Sequence, residues 1–225
     1  MNAIYSGCAG KGETMGYYLF DFDGTLVDSM PVFAAAMVRV IREEGVPYPE
    51  DIVKIVTPLG INGGAKYYVT LGAKSTEEQL KEKMTEYMRD GYFHRIPAKK
   101  HVPETLRAMK ARGDRLFVLT ASPHLTLDAC LKRLGLYDLF EKVWSCEDFG
   151  TTKADPEIYR MAAREMGAAP EDIWFLDDNI NADKTAKSAG LKVCGVFDES
   201  SREFRAEMER ITDRYIEDFE ELPEE

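Results

Sequence analysis

Long hydrophobic runs are missing from this sequence: no apolar stretch approaches the roughly 18 residues that a membrane-spanning helix needs, so a helical membrane protein is excluded. Cysteine is scarce and unpatterned. Cys8, Cys130, Cys146 and Cys194 form no C-x-x-C pair, and a chain of 225 residues can bury a core without disulfide staples, so they read as reduced thiols. Histidine is scarcer still. His94, His101 and His124 stand apart without spaced partners and read as hinge, surface or capping residues rather than catalysts. Positive charge is in deficit: 29 Lys and Arg against 40 Asp and Glu leave a net charge of −11, which repels nucleic-acid backbones and anionic membrane surfaces. The first residues lack both the charged start and the apolar middle of a secretory signal, and a cytoplasmic location is expected by default.

What is present suits an ordinary globular chain. Hydrophobic residues at 44% and charged residues at 31% allow a real core, and the length fits one domain with room for an inserted module. The acidity is concentrated at the end, where residues 198–225 carry twelve acids and four bases and read as a solvated helix face with a fraying terminus.

Five short runs rich in β-branched and aromatic residues read as buried strands: Tyr17 to Phe20, Arg115 to Leu119, Lys142 to Ser145, Ile173 to Leu176 and Lys192 to Phe197. Amphipathic helices are expected between the later ones, near Pro103 to Ala111, Leu125 to Leu134, Asp155 to Met166 and Ala182 to Ala189. Such alternation makes a doubly wound, Rossmann-like parallel sheet with helices on both faces, and ligands gather at the carboxyl ends of its strands. Between the first two strands the chain reads as almost wholly helical, with Ser29 as the cap of its first helix and breakers at Gly45, Pro58 and the cluster Gly60, Gly63, Gly64. About 65 residues are too many for one crossover. The division expected is therefore an N-terminal extension over residues 1–16, an α/β core over 17–28 and 95–225, and an inserted all-α cap over 29–94. The end of the chain is read as one helix and an edge strand near Arg214 to Ile216.

The most informative run is Asp21-Phe22-Asp23-Gly24-Thr25-Leu26-Val27-Asp28, directly after the first strand. Alternation along a strand lets the carboxylates at i and i+2 face one pocket, and Gly24 permits the sharp exit. Paired carboxylates repel unless a cation lies between them, and hard oxygen donors favour Mg²⁺. Three further strand ends carry Thr120-Ala121-Ser122, Lys153 after Thr151-Thr152, and Asp177-Asp178-Asn179. Singly these are a helix cap, a surface lysine and a turn; together, in a parallel sheet, they converge on one rim.

These four motifs, in this order and spacing over residues 17–197, resemble the haloacid dehalogenase superfamily, in its phosphoglycolate phosphatase and β-phosphoglucomutase subgroup with a helical cap. The resemblance implies that Asp21 attacks the phosphorus of a monoester and that Asp23 serves as acid and base. It implies that Thr120, with the N–H groups of Ala121 and Ser122, and Lys153 hold the phosphoryl group, and that Mg²⁺ takes Asp21, the main-chain carbonyl of Asp23 and Asp178, with Asp177 direct or through water. An Asp at position 23 fits the phosphatases and phosphomutases of the superfamily rather than its dehalogenases. The cap histidine of the β-phosphoglucomutases is replaced by Phe33. Ala154 stands where proline is common, and Asp183, where an aliphatic residue is common, either lies near the metal or caps its helix, of which the cap is the reading taken.

A Mg²⁺-dependent phosphatase for a small phosphorylated metabolite is thus expected, as a monomer or weak homodimer. A phosphomutase, and a binding protein that keeps the fold without turnover, remain the alternatives. Substrate choice falls to the cap, in a loop over residues 57–64 with Asn62 and the following Lys66, or else that stretch is a plain turn beside tyrosines packed as core. Met15 lies immediately before the first strand, which leaves a start of translation at Met1 or at Met15 open; the intact mass of the natively expressed protein decides, a mass lacking residues 1–14 meaning Met15 and the full mass meaning Met1.

Overall fold

A computed structural model describes residues 15–222, so the extension expected over residues 1–16 lies almost entirely outside the described residues. The central strand β1 (Tyr17–Phe20) has β2 (Arg115–Thr120) on one side and β4 (Ile173–Asp177) on the other. With β3 (Lys142–Ser145), β5 (Lys192–Val196) and β6 (Arg214–Ile216) they form one six-stranded sheet in the order β3-β2-β1-β4-β5-β6, parallel throughout. All five expected strands and the edge strand are present. β2 and β4 each run one residue further than expected, to Thr120 and Asp177, so these two of the residues expected to do chemistry are last rungs of the ladder.

Both faces of the sheet are covered, which is why its strands read as unbroken apolar runs. Leu19, Phe117 and Phe175 point into a core with Ile158 and Tyr159 of α7 (Pro156–Met166) and Ala186 of α8 (Ile180–Ser188). The alternate residues Phe20, Val118 and Leu176 point into the opposite core, with Leu106 of α5 (Val102–Ala111) and Leu127 of α6 (His124–Arg133). That second core runs on through Phe22, Leu26, Val27 and Ile96 to the four helices inserted after β1.

The insert consists of α1 (Met30–Glu44), α2 (Ile52–Val56), α3 (Gly60–Thr70) and α4 (Glu77–His94). α1 ends on Gly45, whose φ of +68° suits the left-handed cap. The expected loop over residues 57–64 is corrected: Thr57–Leu59 is a 3₁₀ turn, and Gly60, Gly63 and Gly64 begin α3. Gly64 packs closely on α1, where a Cβ would stand 2.2 Å from Met37 Cε. The alternative reading of the tyrosines holds for Tyr68, which is fully buried and donates from its hydroxyl to Met37 O at 2.9 Å. Ser29 is also corrected: it occupies the N-cap of α1, but its Oγ is buried and makes no capping bond.

The two chain crossings between sheet and cap run side by side. Asp28 N–H donates to Pro97 O at 3.0 Å and Lys99 N–H to Leu26 O at 3.0 Å. Through residue 222 the acidic segment is tied down: α9 (Arg205–Ile211) and β6 are followed by a 3₁₀ turn holding the buried Phe219, and Lys187 and Lys184 pair with Asp213 and Glu207, while the expected frayed end, residues 223–225, lies outside the described residues. Among the described residues no helix is long and apolar enough to cross a membrane.

Inside the cap the buried carboxylate of Glu44 accepts from the N–H groups of Lys74 and Ser75, each at 2.9 Å, from Ser75 Oγ at 2.6 Å and from Lys83 Nζ at 2.7 Å. The Lys83 ammonium and these donors hold Glu44 down at about 2. It therefore fastens the α3–α4 connection to the end of α1. Removing it strands two amides and an ammonium, and Glu44→Ala is expected to lower stability by about 2–3 kcal/mol in a urea titration. A change below about 0.5 kcal/mol, as for an ordinary surface substitution, would contradict this role.

Candidate active site

Register alone brings the first two acids together. Phe20 of β1 pairs with Leu176 of β4, so Asp21 and Asp177 each lie one residue beyond the same pair, and Asp21 N–H still donates to Leu176 O at 2.8 Å. Neighbouring parallel strands run about 4.8 Å apart, which sets two like charges side by side on a covered sheet. The Lys153 ammonium resolves the conflict by donating to Asp21 Oδ1 and, at 2.8 Å, to Asp177 Oδ2. Asp177 Oδ1 accepts from Asn179 N–H at 2.7 Å, and Asp178 Oδ1 accepts from Thr25 Oγ1 at 3.1 Å.

Asp21, Asp177 and Asp178 are all buried, and one carboxylate oxygen of each lies within 4.8 Å of the other two. Asp183 stands behind them, fully buried, with no partner for either oxygen. Its expected role is corrected: the N-cap of α8 is Asn179, which accepts from the N–H groups of Asn181 and Ala182, and Asp183 sits inside the first turn. Four buried carboxylates thus gather around the Lys153 ammonium, with Lys99 acting on Asp178 from the Gly24 turn. Burial, opposed by Lys153 and reinforced by Asp177 and Asp23, pushes Asp21 up to about 7. Burial and then Asp177 and Asp21 hold Asp178 well above the usual carboxylate range, and burial with Asp177 and Asp178 does the same to Asp183. Burial works against the charge on Lys153, yet Asp177 and Asp21 outweigh it and hold the ammonium well above its ordinary value.

Uncompensated negative charge, an orphaned buried carboxylate and hard oxygen donors together fit a cation, so Asp21, Asp177 and Asp178 could hold a metal ion. Asp23 has no carboxylate oxygen in this group. Gly24 is needed in the turn: its φ is +78°, and a Cβ there would stand 2.5 Å from Asp178 Oδ2.

The side chain of Asp23 turns to hydroxyls instead. Its Oδ1 accepts from Tyr92 Oη at 2.6 Å and its Oδ2 from Ser122 Oγ at 2.5 Å. Burial, then the Asp23 charge, raises the Tyr92 phenol well above its ordinary value, so it is the donor. Thr120, at the end of β2, is buried and caps no helix; its Oγ1 accepts from Ser122 N–H at 3.1 Å, so that N–H is turned inward. Of the two cap residues expected to choose substrate, Asn62 and Lys66 lie four apart on α3 and are exposed. Sequence reasoning did not single out Tyr92, Thr25 or Lys99. Lys99 Nζ ties the turn after β1 to the end of β5, donating to Gly24 O and Phe197 O at 2.6 Å and to Asp198 Oδ2 at 3.0 Å. The only available signal for these three was position: Thr25 inside the D-x-D-G-T run, Tyr92 and Lys99 at the cap boundary.

Residues 18–196 match the family described as haloacid dehalogenase-like hydrolase, and the chain belongs to that family. It is accordingly an enzyme, a hydrolase by family, and its relatives include named phosphatases. It is 27% identical over 175 residues to the phosphorylated carbohydrates phosphatase of Thermotoga maritima, covering 77% of this chain and 81% of that one. It is 27% identical over 210 residues to the phosphoglycolate phosphatase of Escherichia coli, covering 83% and 82%. Among solved structures, CbbY of Rhodobacter sphaeroides in complex with phosphate shares the fold at a TM-score of 0.76 and 22% identity, over 92% of this chain and 96% of that one. YfnB of Bacillus subtilis, bound to magnesium, does so at 0.75 and 18%, over 93% and 97%.

Metal binding and the raised acids give a pH-dependent outcome. Asp21 holds its proton more tightly folded than unfolded, so its share of stability is complete below pH 3.8 and is lost as pH rises to about 7. A cation competes with those protons and replaces them best when they have left. Saturating Mg²⁺ is expected to raise the melting temperature by about 5 °C or more at pH 8, and by clearly less at pH 5. An equal gain at both would place any bound ion elsewhere.

Proposed function

We propose that this chain is a Mg²⁺-dependent phosphatase that hydrolyses a small phosphorylated metabolite through an aspartyl-phosphate at Asp21. The observation that carries this reading is the pairing of Asp21 with the buried Lys153 ammonium, beside a second acid, Asp23, whose carboxylate has its own separate set of donors. Two acids in distinct environments suit a nucleophile and a proton carrier.

In this reading an Asp21 oxygen forms a bond to phosphorus as the ester P–O bond breaks, and the electron pair leaves with the ester oxygen. Asp23, entering protonated, gives that oxygen its proton. Ionised, it then takes a proton from the water that attacks phosphorus and frees Asp21. Lys153 lies against Asp21 and offsets the charge of the phosphoryl oxygens, while Thr120 and the N–H groups of Ala121 and Ser122 line the same strand end, the Ser122 N–H turning from Thr120 Oγ1 toward the ligand. Mg²⁺, held by Asp21 and Asp178 with the carbonyl of Asp23 and with Asp177 nearby, would supply positive charge to offset that of the phosphoryl group.

The cap shares the apolar core of the turn after β1 and sets Tyr92 on Asp23, and a cap that limits access in this way favours a small ester over a phosphoprotein. Asn62 and Lys66, exposed on α3, are the cap residues offered to the leaving group. The names of the relatives, a carbohydrate-phosphate phosphatase and a phosphoglycolate phosphatase, support a small phosphorylated acid or sugar.

The test is phosphate release from a panel of such esters with Mg²⁺ and with EDTA. Release is expected only with Mg²⁺, and Asp21→Asn is expected to lower it by roughly 10³-fold or more. Transfer of the phosphoryl group to another hydroxyl of a sugar, with none released, would mean a phosphomutase; Asp21→Asn turning over at the wild-type rate would remove the nucleophile assignment.

A further inference from the structure

We propose that Tyr92, in the last helix of the cap, positions the carboxyl group of Asp23 so that Oδ2 is the oxygen that exchanges a proton with the substrate. The proposal rests on the reading of Asp23 as acid and base given above, and it adds a residue from the cap to machinery otherwise drawn from the sheet.

The two hydroxyls on Asp23 are unlike. Tyr92 is only 3% exposed, and its ring stacks on Phe22 with centroids 6.1 Å apart and planes 23° from parallel. Its carbonyl accepts from Arg133 Nε at 3.1 Å, and the same guanidinium donates to Ile96 O just past the end of α4. Ring, backbone and helix end are therefore all held, and the bond from Tyr92 Oη to Asp23 Oδ1 is a fixed one. Ser122 is half-buried in the loop after β2, and its Oγ turns about a single bond. A phosphate ester arriving at that loop can draw Ser122 Oγ away and leave Oδ2 facing the ester oxygen.

Oδ1 keeps the fixed phenol as its donor while Oδ2 loses Ser122 Oγ to the ester, so a protonated Asp23 that donates to the ester carries its hydrogen on Oδ2. As the P–O bond breaks, that hydrogen passes to the departing oxygen, whose new electron pair binds it, and Asp23 is left as a carboxylate. In the second half the same oxygen takes a hydrogen from the attacking water while the water oxygen bonds to phosphorus and the Asp21–phosphorus bond breaks. Tyr92 gives up no proton in either half. Since α4 is clamped through Arg133 of α6, the acid is aimed only when the cap is seated on the core.

Tyr92→Phe keeps the ring and its stack and removes the donor. The measurement is kcat and KM for phosphate monoesters whose leaving groups run from p-nitrophenol to a primary alcohol, since the more basic oxygen needs the proton more. Loss of one hydrogen bond to a charged group predicts a fall in kcat of roughly thirtyfold for the alkyl ester and about threefold for the p-nitrophenyl ester, with little change in KM. The ratio of the two rates does not depend on how much of the variant is folded, so a structural loss alone leaves it unchanged. An unchanged ratio, or a loss confined to KM, overturns the assignment of Tyr92. Asp23→Asn, run alongside, separates the two levels: if it hydrolyses alkyl esters as fast as wild type, the acid–base reading itself fails and the Tyr92 proposal with it. If Asp23→Asn is silent and Tyr92→Phe leaves the ratio untouched, only Tyr92 falls.

Discussion

The Lys153 ammonium is the charge on which the site depends. A parallel register places Asp21 and Asp177 one step beyond a shared rung of the sheet, where burial makes two adjacent carboxylates costly, and the lysine donates to both. It cannot balance them all. With Asp178 and Asp183 also buried nearby, the carboxylates outnumber the ammonium, and the excess is the physical reason the site suits a cation. The same crowding forbids a side chain at Gly24, whose backbone passes against the Asp178 carboxylate.

Around this centre the cap is attached by polar ties set into an apolar continuum. One hydrophobic core extends from the sheet face through Phe22, Leu26 and Ile96 into α1, α3 and α4, which supplies adhesion without direction. Direction comes from hydrogen bonds at the junction: Asp28 to Pro97 and Lys99 to Leu26 along the paired crossings, Arg133 on the end of α4, and Lys99 Nζ bridging the Gly24 turn to Phe197 and Asp198. The site is thereby referenced to the cap on one side and to β5 on the other. The acidic terminus joins this scheme, with Asp218 accepting from Lys100 beside the returning crossing.

Much of this was legible in the sequence because the informative elements have strong local signals. A strand covered on both faces must be apolar at every position, so Ile173 to Leu176 could be read without knowing its neighbours. The D-x-D-G run alone reads as a turn, and it gained meaning from the hydroxyl, the lysine and the further acids that follow the other strands. The misreadings share one cause. Gly60, Gly63 and Gly64 look like breakers, and glycine does disfavour helix locally, yet they open α3, which packs Gly64 against Met37 and buries Tyr68. Ser29 and Asp183 are residues that cap helices by preference, but the nearby Asn179 has the geometry at α8, and burial leaves both Ser29 and Asp183 unpartnered.

The sequence by itself determined the alternation of strands and helices, the helical insert, and the set of acids, hydroxyl and lysine at the strand ends, since each follows from local periodicity and residue chemistry. Only the tertiary structure decided how those groups pair: that Lys153 joins Asp21 to Asp177, that Asp183 is buried alone, and that Asp23 takes its donors from Ser122 and from Tyr92, 69 positions along the chain. Such pairings depend on register between strands and on the seating of one helix against another, and contacts between distant residues leave no local periodicity to read.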